Sequence, residues 1–258
     1  MGDNNGNTTT TSTSRIWSPP PGTTWQWQLT DYPVDTTLDV SMYDVDLFDT
    51  PIETLTQLHE RSAVVICYFS AGSYEEWRPD AQEYTAQDYG NPLEGWEGEY
   101  WVDTRSENVR RILQARLDLA VEKGCDGVEP DNVDGYANDP GFPLDFQTQL
   151  DFNLFLSQEA RARGLSIGLK NDLDQIAELL PHFDWALNEE CLSYSECPLL
   201  RPFLEAQKAV FHVEYFDSTA QASTSAQAIC DRLERKGFST LLKLWDLNAW
   251  HLACPPLP

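Results

Sequence analysis

The chain has 258 residues and a mass of 29.3 kDa, a length that holds one large domain or two small ones. Its 17 Lys and Arg against 42 Asp and Glu leave a formal net charge of −25 and a pI near 4.2, a field that repels nucleic acid and anionic lipid and attracts a cationic ligand. Hydrophobic residues at 41% are enough for a packed core, and no apolar run reaches the roughly 18 residues of a membrane span.

The first residues, MGDNNGNTTTTSTS, form a polar low-complexity tract. We expect residues 1–23 to be a flexible tether left after removal of a signal or lipid-anchor segment, with a frayed terminus as the plain alternative. Residues 24–258 then form a single domain. A strand-like piece, TWQWQLT (24–30), comes first. Eight short apolar runs follow, each ending in polar residues: 38–44, 63–72, 100–105, 126–134, 165–172, 185–191, 209–215 and 240–246. Between them lie helical stretches at 52–60, 106–123, 146–163, 173–180, 198–207 and 222–236. The stretch 106–123 opens on Ser106 and repeats apolar residues at Val109, Ile112, Leu113, Leu117 and Ala120, a helix stripe behind an N-cap. Gly124, Gly164 and Gly237 stand where helices should stop. Residues 73–99 hold two prolines and three glycines, and read as a long loop on the active-site side.

Eight strand–helix units predict an α/β fold, a (β/α)8 TIM-like barrel with an additional N-terminal strand. A doubly wound open sheet is disfavoured, because MYDVDLFDT stands where a glycine-rich phosphate turn would be. Barrel enzymes carry their chemistry at the C-terminal ends of the strands. Those ends hold Asp44, Tyr68, Glu129, Asp131, Lys170, Asn171, Glu189, Glu190, Glu214 and Asp246, mostly carboxylates. No G-x-S-x-G elbow is present, and four histidines do not make a metal hydrolase. Two carboxylates across a cleft are the minimal set for glycosidic hydrolysis. Asp131 ends the fourth predicted strand and Glu189 the sixth, with Lys170 between them, so these side chains should converge as a catalytic pair. Strand-end acids also cap helices and line loops, and 42 acids put several there by chance. Aromatic residues near the same face, among them Trp77, Trp96, Tyr194, Tyr215 and Trp245, suit the apolar faces of sugar rings. Cys191 and Cys197 lie six residues apart in the polar loop ECLSYSEC, which closes readily as a disulfide in an oxidising compartment. Spacing does not pair the other four cysteines, which buried thiols would also explain.

The segments CYFSAGSYEEWRPD (67–80), GCDGVEPDNVDGY (124–136), RGLSIGLKND (163–172), NEECLSYSEC (188–197) and AVFHVEY (209–215), in this order, resemble the endo-α-1,4-polygalactosaminidases, glycoside hydrolase family 114. The resemblance runs from about Trp25 to Trp250. It implies a TIM-like barrel with an extra strand. It also implies a secreted or cell-surface tethered hydrolase of α-1,4-linked galactosamine in partly deacetylated, cationic biofilm polysaccharide. Its motifs fall on Asp131 and Glu189, 58 residues apart. We expect Asp131 to act as nucleophile and Glu189 as acid/base, and assume retention of configuration, which a carboxyl separation of about 5–5.5 Å would fit and one of about 6.5–9.5 Å would not. Glu190 competes for the acid role, but strand alternation pairs Glu189 with Leu187, expected to face inward. Asp44, Glu129 and Glu214 are the expected contacts to substrate amino groups, with Tyr68, Lys170, Asn171, Tyr194 and Tyr215 completing the binding residues. No cofactor or metal is expected, the partner is the polysaccharide rather than nucleic acid or a membrane, and a monomer suffices. Hydrolysis of a neutral α-galactoside and a non-catalytic carbohydrate-binding barrel are the alternatives.

Overall fold

The computed structural model describes residues 16–257. The chain opens with three strands that lie side by side and parallel: β1 (Trp25–Gln28), β2 (Met42–Asp46) and, after helix α1 (Ile52–Glu60), β3 (Val64–Ser70). Three short strands follow, β4 (Ser73–Glu75), β5 (Tyr89–Pro92) and β6 (Glu99–Val102), and form a separate antiparallel sheet in the order β4-β6-β5. Helix α2 (Glu107–Lys123) then returns the chain to β7 (Gly127–Asp131), parallel to β3. Four more parallel strands complete the wall: β8 (Ser166–Lys170) after α3 (Phe146–Ala162), β9 (Trp185–Glu189) after the short α4 (Ile176–Leu179), β10 (Val210–Phe216) after α5 (Cys191–Tyr194) and α6 (Arg201–Glu205), and β11 (Ser239–Leu244) after α7 (Thr219–Cys230). A short β12 (Leu252–Ala253) adds antiparallel to β11, so the curled sheet has nine strands.

The architecture is the predicted TIM-like barrel, with one redistribution. The N-terminal strand pairs with β2 and is one of the eight parallel strands. The run at 100–105 instead pairs antiparallel in the small sheet as β6. A parallel neighbour needs a crossover of a dozen or more residues, usually a helix. The segment 73–99 supplies only a single 3-10 turn, at Ala81–Glu83, so β6 can fold back only as a hairpin partner. The predicted tether also ends earlier than residue 23. Residues 1–15 lie outside the described residues, but Trp17 packs on the barrel interior and the Pro19 carbonyl accepts from Ala209 N at 2.9 Å.

Period-2 alternation divides the strand residues into two cores. Trp25, Trp27, Met42, Ile66, Trp185, Leu187, Phe211, Val213 and Leu241 fill the barrel. The opposite faces pack against the helices with Val65, Val128, Ile167, Ala186 and Val210. Gly168 makes room for the interior indole: a Cβ there would lie 2.2 Å from the Trp185 ring. β1 meets the far end of the sheet through single contacts, Trp25 Nε1 to the Ser239 carbonyl at 3.0 Å and Leu29 N to the Leu247 carbonyl at 2.9 Å. The helix signals act where the sequence puts them: Ser106 Oγ accepts from Val109 N, and Gly124 closes α2 at φ 86°. All six cysteines are paired, Cys67–Cys125, Cys191–Cys197 and Cys230–Cys254.

Candidate active site

A cleft of about 1010 Å³ opens at the C-terminal ends of the barrel strands, with the β4-β5-β6 sheet as one wall. Eleven carboxylates line it against two cations, Arg78 and Lys170. Both cations are committed: Arg78 is buried on Asp46 at 2.7 Å and Glu75 at 2.9 Å. The cleft therefore presents net negative charge to solvent. Trp77, Trp96 and Trp245 stand about half exposed on its rim, and the Trp245 ring stacks on Tyr215 with centroids 4.4 Å apart.

On the cleft floor, β7, β8 and β9 end in Asp131, Lys170 and Glu189. All three side chains share the interior parity of Leu187. Lys170 Nζ lies 3.1 Å from Asp131 Oδ1, 3.4 Å from Glu189 Oε2 and 3.0 Å from Glu129 Oε1, under the Trp27 ring at 4.9 Å. Burial alone would lower the Lys170 ammonium, but the Asp131, Glu129 and Glu189 carboxylates override it and hold it well above the ordinary lysine value. Asp131 also accepts from Asn132 N at 2.7 Å and from the Tyr68 hydroxyl at 3.1 Å. Glu189 accepts from Asn171 Nδ2 at 3.0 Å and from the Tyr215 hydroxyl. Burial, then the neighbouring Asp131 or Glu189 charge, pushes both phenols well above the usual tyrosine value, so they remain donors. Because Asp131 Oδ1 and Glu189 Oε2 sit on one ammonium, they cannot be further apart than the sum of 3.1 and 3.4 Å.

The chain leaves each of these strands through a left-handed residue: Asn132 at φ 59°, Asn171 at φ 48° and Glu190 at φ 59°. Asparagine tolerates that region, whereas for Glu190 it is a strained choice. It swings Glu190 off the strand line, so Glu189 alone makes the Lys170, Asn171 and Tyr215 contacts. The Asp131 carbonyl is clamped by Ala71 N and Gly72 N at 2.9 and 3.0 Å. Gly72 is required there, since a Cβ would fall 1.7 Å from the Asn132 carbonyl oxygen.

Tyr68, Asp131, Lys170, Asn171, Glu189 and Tyr215 thus meet in the cleft. Four of the other expected contacts do not. Asp44 and Glu129 are fully buried beneath it, because their strands continue two residues further before the wall opens. Asp46, not Asp44, is the β2 acid that lines the cleft. Glu214 has the parity of His212 and faces outward; it accepts from Leu192 N at 2.8 Å and Ser193 Oγ at 2.7 Å and pins the loop after β9. Burial would raise its carboxyl, but these bonds and the one from His212 hold it below the usual range. Tyr194 lies 67% exposed on a shallower neighbouring groove with Asp134, Asp172 and Glu190. Residues not singled out from the sequence, Asn132, Asp134 and Glu99, also line the cleft. Asn132 and Asp134 directly follow β7, one and three residues beyond Asp131. For metal, the described residues bring three potential ligands together at Cys191, Cys197 and His212. The two sulfurs are bonded to each other, and His212 Nε2 faces Glu214 Oε1 at 3.0 Å.

Several buried acids around the cleft bear on stability. Burial, then repulsion from Asp134, pushes Asp172 up to about 8; burial and Glu75 push Glu99 up to about 7; burial and Asp131 push Asp134 up to about 6. A raised carboxyl binds its proton in the folded chain after the unfolded chain has released it, so its stabilisation is full below the unfolded value and is lost as pH rises through the folded one. The melting temperature should therefore fall between about pH 5 and pH 8, and Asp172→Asn should flatten that slope. Calorimetry across this range checks it; a Tm that is flat or rises towards pH 8 would contradict the assignment.

No curated protein sequence matches the chain. Among solved structures, Aspergillus fumigatus Ega3 in complex with galactosamine is similar at 43% identity and TM-score 0.88, covering 96% of this chain and 100% of that one. The glycoside hydrolase domain of PelA from Pseudomonas aeruginosa shares the fold at 13% identity and TM-score 0.73, covering 91% of this chain and 99% of that one. Residues 6–256 match the sequence profile of Glycoside-hydrolase family GH114. The chain belongs to that family and is a glycoside hydrolase.

Proposed function

We propose that the enzyme cleaves α-1,4-linked galactosamine within a partly deacetylated, cationic exopolysaccharide, with Asp131 as nucleophile and Glu189 as acid/base. The observation that carries this reading is the convergence of Asp131 and Glu189 on the single Lys170 ammonium at the floor of an open, acidic cleft. Asp131 attacks the anomeric carbon while Glu189 gives a proton to the leaving oxygen; water then enters with Glu189 as base and releases the sugar. Retaining enzymes hold their carboxyl groups about 5–5.5 Å apart and inverting ones about 6.5–9.5 Å. We infer retention, with Asp131 bonded to the sugar between the two steps. The 43% identical Ega3 was solved with galactosamine, and an excess of cleft carboxylates is what protonated amino sugars would require. The half-exposed tryptophans of the open cleft suit a polymer that runs through it, hence cleavage within the chain.

The test is reducing-end release from partly deacetylated α-1,4-galactosaminogalactan. Release that falls on full N-acetylation supports the amino-sugar reading; release from neutral α-galactosides with none from the amino polymer overturns it. Charge attraction of this kind is screened beyond about 8–10 Å at physiological salt. The kcat/KM on the cationic polymer should therefore drop about tenfold or more between low and about 0.5 M salt, with kcat much less affected. Salt-independent kcat/KM would remove the electrostatic argument. We further infer export: three disulfides among the described residues form and persist in an oxidising compartment. Among these residues no helix is long and apolar enough to cross a membrane.

A further inference from the structure

Beneath the cleft lie two carboxyl groups that this chemistry leaves idle. Asp44 on β2 and Glu129 on β7 are 0% exposed, and their side chains meet within hydrogen-bonding reach. Three of their four oxygens, both of Asp44 and Oε2 of Glu129, are buried without a donor. The fourth, Glu129 Oε1, accepts from Lys170 Nζ at 3.0 Å. Two ionised carboxylates are acceptors only and cannot satisfy one another. Two such buried charges side by side would also repel, with one ammonium between them that Asp131 and Glu189 already share. A single proton between the two groups removes both difficulties. Glu129 holds the direct contact to the ammonium, so it is the partner that gains from staying charged, whereas Asp44 makes no ion pair among the described residues.

We propose that Asp44 is a neutral acid that donates a hydrogen bond to Glu129, and so keeps Glu129 the anion that fixes and neutralises Lys170 beneath the Asp131–Glu189 pair. The proposal rests on reading Asp131 and Glu189 as the reacting groups. Neither Asp44 nor Glu129 reaches the cleft, so both are positioning residues. Burial, then repulsion from Glu129, holds the Asp44 carboxyl well above the usual range. Burial also lifts Glu129 to about 7 despite the lysine, in keeping with one proton held between the two. The titratable groups that face the pair are Tyr68 from β3, Asp131 further along β7, Lys170 from β8, Glu189 from β9 and Tyr215 from β10; β1 contributes the uncharged Trp27 ring, which covers Lys170.

The consequence is electrostatic. As long as Glu129 is an anion, the lysine places the reacting carboxyls without supplying net positive charge to them. If Glu129 loses its charge, the uncompensated ammonium favours the anionic form of whatever lies above it, and the catalytic acid gives up its proton at lower pH. Asp44→Asn exchanges one neutral donor for another and leaves that balance alone.

The pH profile of kcat/KM on partly deacetylated α-1,4-galactosaminogalactan separates the cases. E129Q should move the basic limb to lower pH by about one unit or more, while D44N leaves the limb where it is, whatever its rate. A limb that moves in D44N, or one that stays in E129Q, overturns the proposal. The first result with the second would put the proton on Glu129, and movement in both variants would mean that no proton is shared. An infrared difference spectrum of wild type against D44N at neutral pH provides a readout without substrate. Loss of a protonated-carboxyl band is expected, and no loss overturns the proposal even if the polymer proves not to be the substrate. If D44N does not fold, the E129Q profile alone decides, and an unmoved limb sinks the idea.

Discussion

Asp131→Asn is expected to lower kcat/KM on the galactosamine polymer by on the order of 10⁴-fold, and Glu189→Gln by about 10²–10⁴-fold. Both exchanges keep the size of the side chain and its bonds to Tyr68 or to Asn171, so folding should survive. They remove different functions. An amide at 131 cannot attack the anomeric carbon, whatever the leaving group. An amide at 189 cannot protonate a sugar oxygen, but the first step needs no proton when the leaving group is already acidic. Glu189→Gln should therefore keep much of its first-step rate on an activated aryl α-galactosaminide, then stall with the sugar attached to Asp131. Added azide should release it as the α-azide, because displacement at the attached sugar restores the starting configuration. A β-azide, or aryl substrate losses equal in the two variants, would sink the division of roles. The combined substitution should lose little beyond the Asp131 variant, since groups acting in one step are not additive.

The convergence of Asp131, Lys170 and Glu189 was legible from sequence for a simple reason. Each ends a short β-rich run, and alternation puts Asp131, Lys170 and Glu189 on the face of Leu187. What alternation does not carry is depth. Glu129 and Asp131 share a face but differ by two residues, roughly 6.6 Å along a strand, and that distance separates a cleft residue from a buried one. Asp44 and Asp46 differ in the same way. Glu214 is a different case. It cannot share the cleft with Tyr215, its neighbour in an unbroken strand, so the parity of His212 and Glu214 already assigns it outward. The strand at 24–30 reads as an addition because no helix follows it, and the run at 100–105 reads as a barrel strand because one does. Strand membership is decided by crossover and pairing partner, which local pattern does not contain. The four remaining cysteines pair across separations of 58 and 24 residues, brought together by the pairing of β3 with β7 and by the packing of α7 on β12, which local pattern does not contain.

Lys170→Met should be the most damaging substitution to stability, costing about 3–5 kcal/mol at neutral pH by denaturant unfolding. The side chain is 2% exposed and stands among Glu129, Asp131 and Glu189, with the Trp27 ring on its remaining side. Methionine restores most of the volume, so the loss measures charge rather than a cavity. Without the ammonium, Glu129 is a buried anion with no counter-charge, and relief comes only by taking up a proton. Its carboxyl is already pushed to about 7 with the lysine present, and without the lysine it rises further. A group raised in this way stabilises the fold while protonated and stops doing so as pH climbs through its folded value. The penalty of Lys170→Met should therefore be smallest near pH 5 and grow towards pH 8, a trend opposite to that of a cavity, which is indifferent to pH. Lys170→Arg is not a rescue, since a planar guanidinium is bulkier than an ammonium and spreads its donors differently. A variant with methionine here that is as stable as wild type at both pH values would mean that the carboxylates around position 170 already carry protons of their own, and the lysine would lose its place at the centre of the site.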